Sequence, residues 1–242
     1  MTTSSPSLPE GIRLYAVGDV HGRLDLLKQL LAKIDEDAKT AKGPVKKIFL
    51  GDYIDRGLHS CQIIDYLIDW RAKEKEPPIF LMGNHEQVMR QLLRDSDPGL
   101  LGDWFQFGGR ETLLSYGLSP AKLTENPTEV LKEMASKVPP AHVDFLENLE
   151  LSATYGDYFF CHAGVRPGVA LESQNEQDLV WIRYEFLNHK DSFGKVVVHG
   201  HTITFEAEFC PNRISIDTGA YATGCLTALA LEGTKQWLIQ TA

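Results

Sequence analysis

Five short polar clusters carry the residue types that hydrolytic metal centres use. They are Asp19-Val20-His21, Asp52 with Asp55-Arg56, Asn84-His85, His162, and His199-Gly200-His201. Carboxylates, imidazoles and an amide form a hard-to-borderline donor set that suits manganese, iron, zinc and related divalent ions. It suits calcium poorly, because calcium takes oxygen ligands. One carboxylate shared between two ions would set them roughly 3.5–4 Å apart, the spacing of two-metal hydrolytic centres. Each cluster alone says little. Asp-x-His is a common tripeptide, Asn84 equally suits a helix N-cap, His162 suits a satisfied core histidine, and His199 with His201 suits a polar turn. Recurrence decides for the metal reading, because five glycine-flanked polar clusters each follow an apolar run. Glycine is needed where the backbone turns sharply and comes close to a site.

The elements that must position these clusters alternate regularly over the first ninety residues. Ile12 to Val17, Val45 to Leu50 and Ile79 to Met82 read as buried strands, each ending in one of the polar loops. Leu24, Leu27, Leu30, Leu31 and Ile34 follow helical spacing, as do Ile63, Ile64, Leu67, Ile68 and Trp70, and a third helix starts after Gly83-Asn84-His85-Glu86. Strand, loop and helix three times over is the pattern of a parallel α/β arrangement, which places ligands at the carboxyl ends of its strands. From about residue 95 to 150 the chain predicts a mostly helical insert or cap, including helices at Pro127 to Lys137 and His142 to Leu149. Trp104, Phe105, Phe107 and Tyr116 are expected to form that insert's own core rather than to line the site. Strands return at Asp157 to Cys161, Lys195 to Val198, Arg213 to Ile216 and Cys225 to Leu231, with Lys235 to Ile239 closing a hairpin. The expected organisation is a flexible lead over residues 1–10 and a single domain over 11–242.

The bulk composition bounds the partners. The 242 residues are 43% hydrophobic and 24% charged, with a formal net charge of -9. That balance is ordinary for one globular domain and offers no basic footprint for nucleic acid. No stretch approaches the roughly 18 apolar residues of a membrane helix, and the Ser/Thr/Pro-rich start is not a secretory signal. Cys61, Cys161, Cys210 and Cys225 form no CxxC pair, a reduced pattern that predicts a cytoplasmic protein. A monomer is the default.

The loops GDVHG (Gly18 to Gly22), GDYIDRG (Gly51 to Gly57), GNHE (Gly83 to Glu86), CHAG (Cys161 to Gly164) and HGHT (His199 to Thr202) resemble, in order and spacing, the phosphoprotein phosphatase family of metallophosphoesterases. Its smaller bacterial and bacteriophage serine/threonine phosphatases look most similar, and the resemblance spans about residues 12–231. It implies a calcineurin-like α/β fold, a central β-sandwich flanked by helices, with two divalent ions at one edge, manganese foremost and iron or zinc as alternatives. By matching motif positions, Asp19, His21 and a bridging Asp52 would hold one ion, and Asp52, Asn84, His162 and His201 the other. His85 would be the general acid, Asp55 its orienting partner, and Arg56 and Arg183 the phosphate grips. Arg183 lies in the short Trp181-Ile182-Arg183 motif, and His199 has no settled role.

These residue types suit phosphate monoester hydrolysis. Two ions screen the anionic phosphate and acidify a water for direct in-line attack. Arg56, Arg183 and Asn84 can stabilise charge spreading over the equatorial oxygens. A serine alkoxide leaves poorly, so protonation by His85 is typically worth about 10²–10⁴-fold. Cys161 is not needed as a nucleophile, and Asp217 is read as a supporting group. The preferred substrate is a phosphorylated protein or small phosphoester. Hydrolysis of dinucleoside polyphosphates such as diadenosine tetraphosphate is the first alternative, set second because Asp55-Arg56 resembles the protein-phosphatase form. A phosphodiesterase and a non-catalytic regulatory module are the further alternatives.

Overall fold

The first apolar run forms β1 (Arg13–Val17), buried along its whole length. The computed structural model describes residues 5–242, and the first four residues of the expected lead lie outside the described residues. α1 (Leu24–Ala38) buries Leu26, Leu27, Leu30, Leu31 and Ile34, an apolar stripe at helical spacing. β2 (Val45–Phe49), α2 (Ser60–Arg71), β3 (Ile79–Phe80) and α3 (Asn84–Asp95) complete the repeat. β1 pairs with β2 and β2 with β3, both in parallel, because each crossover returns the chain through a helix. β3 is shorter than expected, since Leu81 leaves it to bridge Glu150.

Helices fill the next stretch: α4 (Pro98–Gln106), α5 (Gly109–Ser115), α6 (Pro127–Lys137) and α7 (Pro140–Glu147). Proline opens three of them, where its missing N–H would be unpaired anyway. Asp97 and Asn126 cap α4 and α6 by accepting from the N–H groups of Gly99 and Thr128 at 2.8 and 2.9 Å. Leu101, Trp104, Leu113, Leu131 and Leu146 join the same apolar core as α1 and α2, so this segment is a layer of the domain rather than a detached cap.

The remainder contributes β4 (Ser152–Tyr155), β5 (Tyr158–Cys161), α8 (Glu176–Trp181), α9 (Tyr184–Leu187), β6 (Val196–His199), β7 (Glu208–Phe209), β8 (Arg213–Ser215), α10 (Ala220–Thr223), β9 (Thr227–Glu232) and β10 (Lys235–Gln240). Two five-stranded sheets result, ordered β10-β9-β1-β2-β3 and β4-β5-β6-β8-β7. Strand side chains alternate faces. Leu14, Ala16, Ile48 and Leu50 therefore meet Tyr158, Phe160, Val198 and Ile214 between the sheets, while Tyr15, Val17 and Phe49 turn towards the helices. The fold is the expected α/β sandwich with flanking helices.

The expected flexible lead is docked before residue 10. The Ser7 N–H donates to Asp157 Oδ2 at 2.9 Å, the Leu8 N–H donates to the Gly233 carbonyl at 3.0 Å, and Leu8 is buried in the inter-sheet core. Among the described residues, no helix is long and apolar enough to cross a membrane.

Candidate active site

The loops leaving β1, β2, β3 and β6 converge on one open cavity of about 300 Å³. It is lined by His21, Asp52, Arg56, Asn84, His85, Arg183 and His201, together with Asp217 and Tyr221. Backbone conformation marks the same place. Of six described non-glycine residues with a left-handed φ, five are His21, Asp52, Asp55, Arg56 and His201; the other is Ser96, at the end of α3. Such conformations are sparsely populated by residues with a Cβ, and their concentration here is the strain that functional loops carry. The flanking glycines have a steric reason. A Cβ on Gly83 would lie 2.2 Å from Asp52 Oδ1, and one on Gly200 would lie 2.0 Å from Asp19 Oδ1.

One residue of the third loop, Glu86, ties it to the second. Its buried carboxylate accepts the N–H groups of Asp52 and Tyr53 at 2.8 Å, and those of Ile54 and Gly83 at 3.1 Å. Gly83 is the N-cap of α3, so Asn84 stands inside the first turn, and its Oδ1 lies 3.0 Å from His162 Nε2 and 2.8 Å from His201 Nδ1.

Hydrogen bonding fixes which imidazole nitrogens point into the site. A carbonyl only accepts, so His21 Nδ1 donates to Ile54 O and His162 Nδ1 donates to Leu50 O, each at 2.9 Å. Burial holds both rings well below the ordinary imidazole range, hence neutral, and their Nε2 atoms carry lone pairs. Those lone pairs face Asp52, His21 Nε2 at 3.3 Å from Oδ2 and His162 Nε2 at 3.4 Å from Oδ1. One proton on Asp52 relieves one contact and leaves the other; a cation at each relieves both. Asp19 Oδ1 is buried without any partner, and His201 brings Nδ1 to 3.2 Å from His162 Nε2. Burial pushes the Asp19 and Asp52 carboxyls well above the usual range, with Asp217 and Glu86 respectively the next cause. These donors fit divalent metal.

Two triads at this site have the reach to hold ions, His21–Asp52–His85 and Asp52–His162–His201, each with its donor atoms within 4.8 Å of one another. Asp52 belongs to both, as a bridging carboxylate must. The first triad contains His85 where the sequence reading placed Asp19. Asp19 sits beside this group, accepting the His201 N–H at 2.9 Å through Oδ2.

His85 and Asp55 form a buried dyad, with Nδ1 2.6 Å from Oδ2. Thr112 Oγ1 donates to Asp55 Oδ1 at 2.6 Å and Trp104 Nε1 donates to Oδ2 at 2.7 Å. Burial pushes Asp55 up to about 7 and His85 down to about 3, so in the metal-free site the short contact holds a single proton. A bound phosphate dianion would favour that proton on the imidazole. Arg56 stacks 5.2 Å over Tyr221, its Nε buried without a partner. Arg183 Nη1 donates to the His201 carbonyl at 3.3 Å and to Thr202 Oγ1 at 3.1 Å. His199 is not in the cavity lining. It packs edge-on to Phe186 at 4.9 Å between ring centres. Cys161 is fully buried and burial pushes its thiol up, so it is no nucleophile.

A family model described as calcineurin-like phosphoesterase matches residues 12–224. The chain belongs to the calcineurin-like phosphoesterase family. Among its relatives, the bis(5'-nucleosyl)-tetraphosphatase PrpE [asymmetrical] of Anoxybacillus flavithermus is 24% identical over 234 residues, 88% of each chain. The similarly named PrpE of Bacillus thuringiensis is 26% identical over 242 residues, again 88% of each. A solved structure of a candidate diadenosine tetraphosphatase superposes with a TM-score of 0.64 at 18% identity, covering 98% of both chains. At that identity the last likeness speaks to the fold alone.

In this calcineurin-like phosphoesterase, sequence reasoning overlooked four residues around the site. Glu86 lay inside a quoted motif, and a Glu three residues after a helix N-cap was the available signal. Thr112 and Trp104 gave none, because they reach the site from remote segments, and Tyr221 follows Asp217 in a stretch with no polar motif of its own. Tyr116 is a core residue, as expected, whereas Trp104 both packs in the core and donates to Asp55 at the site. Phe107 is 46% exposed and, with Trp181, Leu100 and Val88, lines a groove of about 380 Å³ along α3 that also carries Gln87, Gln91, Gln106 and Gln177.

Proposed function

We propose that this phosphoesterase hydrolyses dinucleoside polyphosphates, with Asp19, His21 and Asp52 holding one divalent ion and Asp52, Asn84, His162 and His201 the other. Manganese is the ion proposed first. What carries the substrate reading is the match, over 88% of both chains, to relatives named bis(5'-nucleosyl)-tetraphosphatases. The groove along α3 supports it. Trp104, on the groove wall, donates to Asp55 Oδ2, and Trp181, also on it, stands edge-on to His201 at 6.3 Å between ring centres, so the groove adjoins the cavity. Asp103 is its one ionisable side chain. Aromatic faces and amides suit a nucleoside better than they suit a second anion.

When bound, the two ions would neutralise phosphate oxygens and make a water acidic enough to attack phosphorus near neutral pH. Arg56 and Arg183 flank the cavity to grip the equatorial oxygens as charge spreads over them. Asn84 adds a polar contact on the same side. His85 hands its proton to the departing oxygen, and Asp55, fixed by Thr112 and Trp104, holds the ring for that transfer.

A specific observation favours a second reading, hydrolysis of phosphoserine or phosphothreonine proteins. A phosphate anion leaves with little help, whereas an alkoxide requires the kind of buried, multiply anchored dyad that His85 and Asp55 form. A manganese-supplemented assay of diadenosine tetraphosphate against a phosphoserine peptide separates the two, with His85→Asn as the probe. Preferential cleavage of the dinucleotide, only weakly reduced by His85→Asn, is expected. Peptide preference with an about 10²–10⁴-fold loss in the variant would overturn the first reading and establish the second. No turnover of either would sink both.

A further inference from the structure

A second set of metal-type donors stands away from the phosphate site, where the helical segment packs against α2. Cys61 and Asp65 are one helical turn apart on α2, so their side chains share a face. His142, from the first turn of α7, points onto that face. Its Nε2 lies 2.8 Å from Asp65 Oδ1, and Cys61 Sγ lies 3.8 Å from Asp65 Oδ2. The three donor atoms all fall within 4.8 Å of one another. His142 is buried, with a side chain only 2% exposed, while Asp65 is 62% exposed and opens the cluster to solvent.

We propose that Cys61, Asp65 and His142 bind one zinc-class transition-metal ion, with water completing a tetrahedron. The inference does not depend on which phosphoester the enzyme cleaves. Zinc bonds of about 2.0–2.3 Å to oxygen, nitrogen and sulfur require donor atoms between three and four ångströms apart, roughly the spread already present. A thiolate with an imidazole selects zinc, cobalt or copper over magnesium and calcium. The imidazole is oriented from behind, because Tyr116 Oη lies 2.8 Å from His142 Nδ1. That hydroxyl rotates from donor to acceptor, so the ring can carry its proton on Nδ1 and turn the Nε2 lone pair to the metal. Burial and the Asp65 charge push the Cys61 thiol up to about 11, so the ion must displace one proton from sulfur, and affinity rises with pH. The bound ion would staple α2 to α7 beside Ser60, whose Oγ accepts the Asp55 N–H at 3.0 Å.

Cobalt(II) is the probe, because none of the donors around the phosphate cavity is a thiol. Titrated into metal-free full-length protein, it should give a thiolate-to-cobalt charge-transfer absorption whose final intensity corresponds to one thiolate-bound ion per chain and which zinc displaces. Cys61→Ser, at a half-buried position, should abolish the band, and Asp65→Asn should weaken cobalt binding at least tenfold. Cys161→Ala and the phosphate-site variant Asp52→Asn should keep it. Absence of the band in the wild type, or its survival in Cys61→Ser, overturns the proposal. In either case the Tyr116–His142–Asp65 chain would be a hydrogen-bonded staple and nothing more.

Discussion

β1 begins and ends in buried polar clusters of opposite character. At its start, Arg13 donates to Glu232 through Nε and Nη2 at 3.1 and 2.6 Å, and through Nη1 to the Asp37 carbonyl and Thr40 Oγ1, both at 2.8 Å. Tyr15 Oη donates to Asp37 Oδ2 at 2.5 Å. Donors there meet acceptors supplied by the chain itself. Just past its end, Asp19 Oδ1 has no partner, and two imidazole lone pairs face the Asp52 carboxylate. Arg13 itself is 7% exposed, against 2% for Asp19 and Asp52, although its carboxylate partners stand partly in solvent. Buried polar groups are normally paired, so the unpaired end is built for charges that the chain does not supply.

The most severe way to break the comparison is Asp52→Asn. The only residue common to both triads loses its charge, and activity should fall beyond the about 10²–10⁴-fold effect of losing a proton donor, measured as kcat/KM with saturating manganese. Stability should move the other way. In metal-free protein the new amide can donate to His21 or His162, and a buried carboxyl is gone, so the midpoint of thermal unfolding should rise. A lower midpoint in the metal-free variant would show that the facing lone pairs are not in conflict.

The pH dependence of metal-free stability is the next largest effect. Burial raises Asp55 and Glu86 to about 7 and Asp217 to about 6, and raises Asp19 and Asp52 well above the usual range. It lowers His21, His85, His162, His199 and His201 from 6.5. Between the ordinary carboxylate range and 6.5 the two sets offset, since the folded state keeps carboxyl protons that the unfolded chain has lost and lacks imidazole protons that it has gained. Above 6.5 the unfolded imidazoles are neutral too. The folded state then holds the excess protons, so stability falls as pH rises through about 7. Manganese should remove that slope. Thermal unfolding followed across neutrality, with and without metal, checks it; a metal-free midpoint that climbs with pH would contradict the assignment.

The chemistry was legible in the sequence to the extent that it was local. Apolar runs, glycine flanks and polar loop residues sit within a few positions of one another, so the parallel repeat and the gathering of Asp52, Asn84, His85 and His201 could be read directly. The supports of Asp55 could not, because Trp104 and Thr112 lie 49 and 57 residues away and meet it only once α4 and α5 have packed. β4 and β7 escaped for a different reason. They are edge strands of four and two residues, too short for a period of two to register. The groove along α3 is likewise a product of packing, since Phe107 and Trp181 come from separate helical stretches.

The smallest effect sharpens the comparison from the other end of β1. Arg13→Ala removes the donor and leaves the Glu232 and Asp37 carboxylates with fewer partners. Breaking a buried ion pair costs about 3–5 kcal/mol, and the partly exposed acids here, with side chains 33% and 32% exposed, put the expected loss at about 3 kcal/mol or below. Denaturant unfolding should show the loss as a lower midpoint with an unchanged slope. Metal affinity and kcat per folded molecule should stay at the wild-type values, because no atom of the Arg13 cluster reaches the phosphate cavity. A second variant separates the lost pair from lost packing. Arg13→Met keeps most of the apolar stem while losing the guanidinium, whose Cζ stands 5.2 Å over the Trp237 ring, and should recover part of the stability without restoring the ion pair. If either variant instead altered metal affinity while stability held, the two ends of β1 would be coupled, and the division between a self-satisfied end and a metal-seeking end would fail.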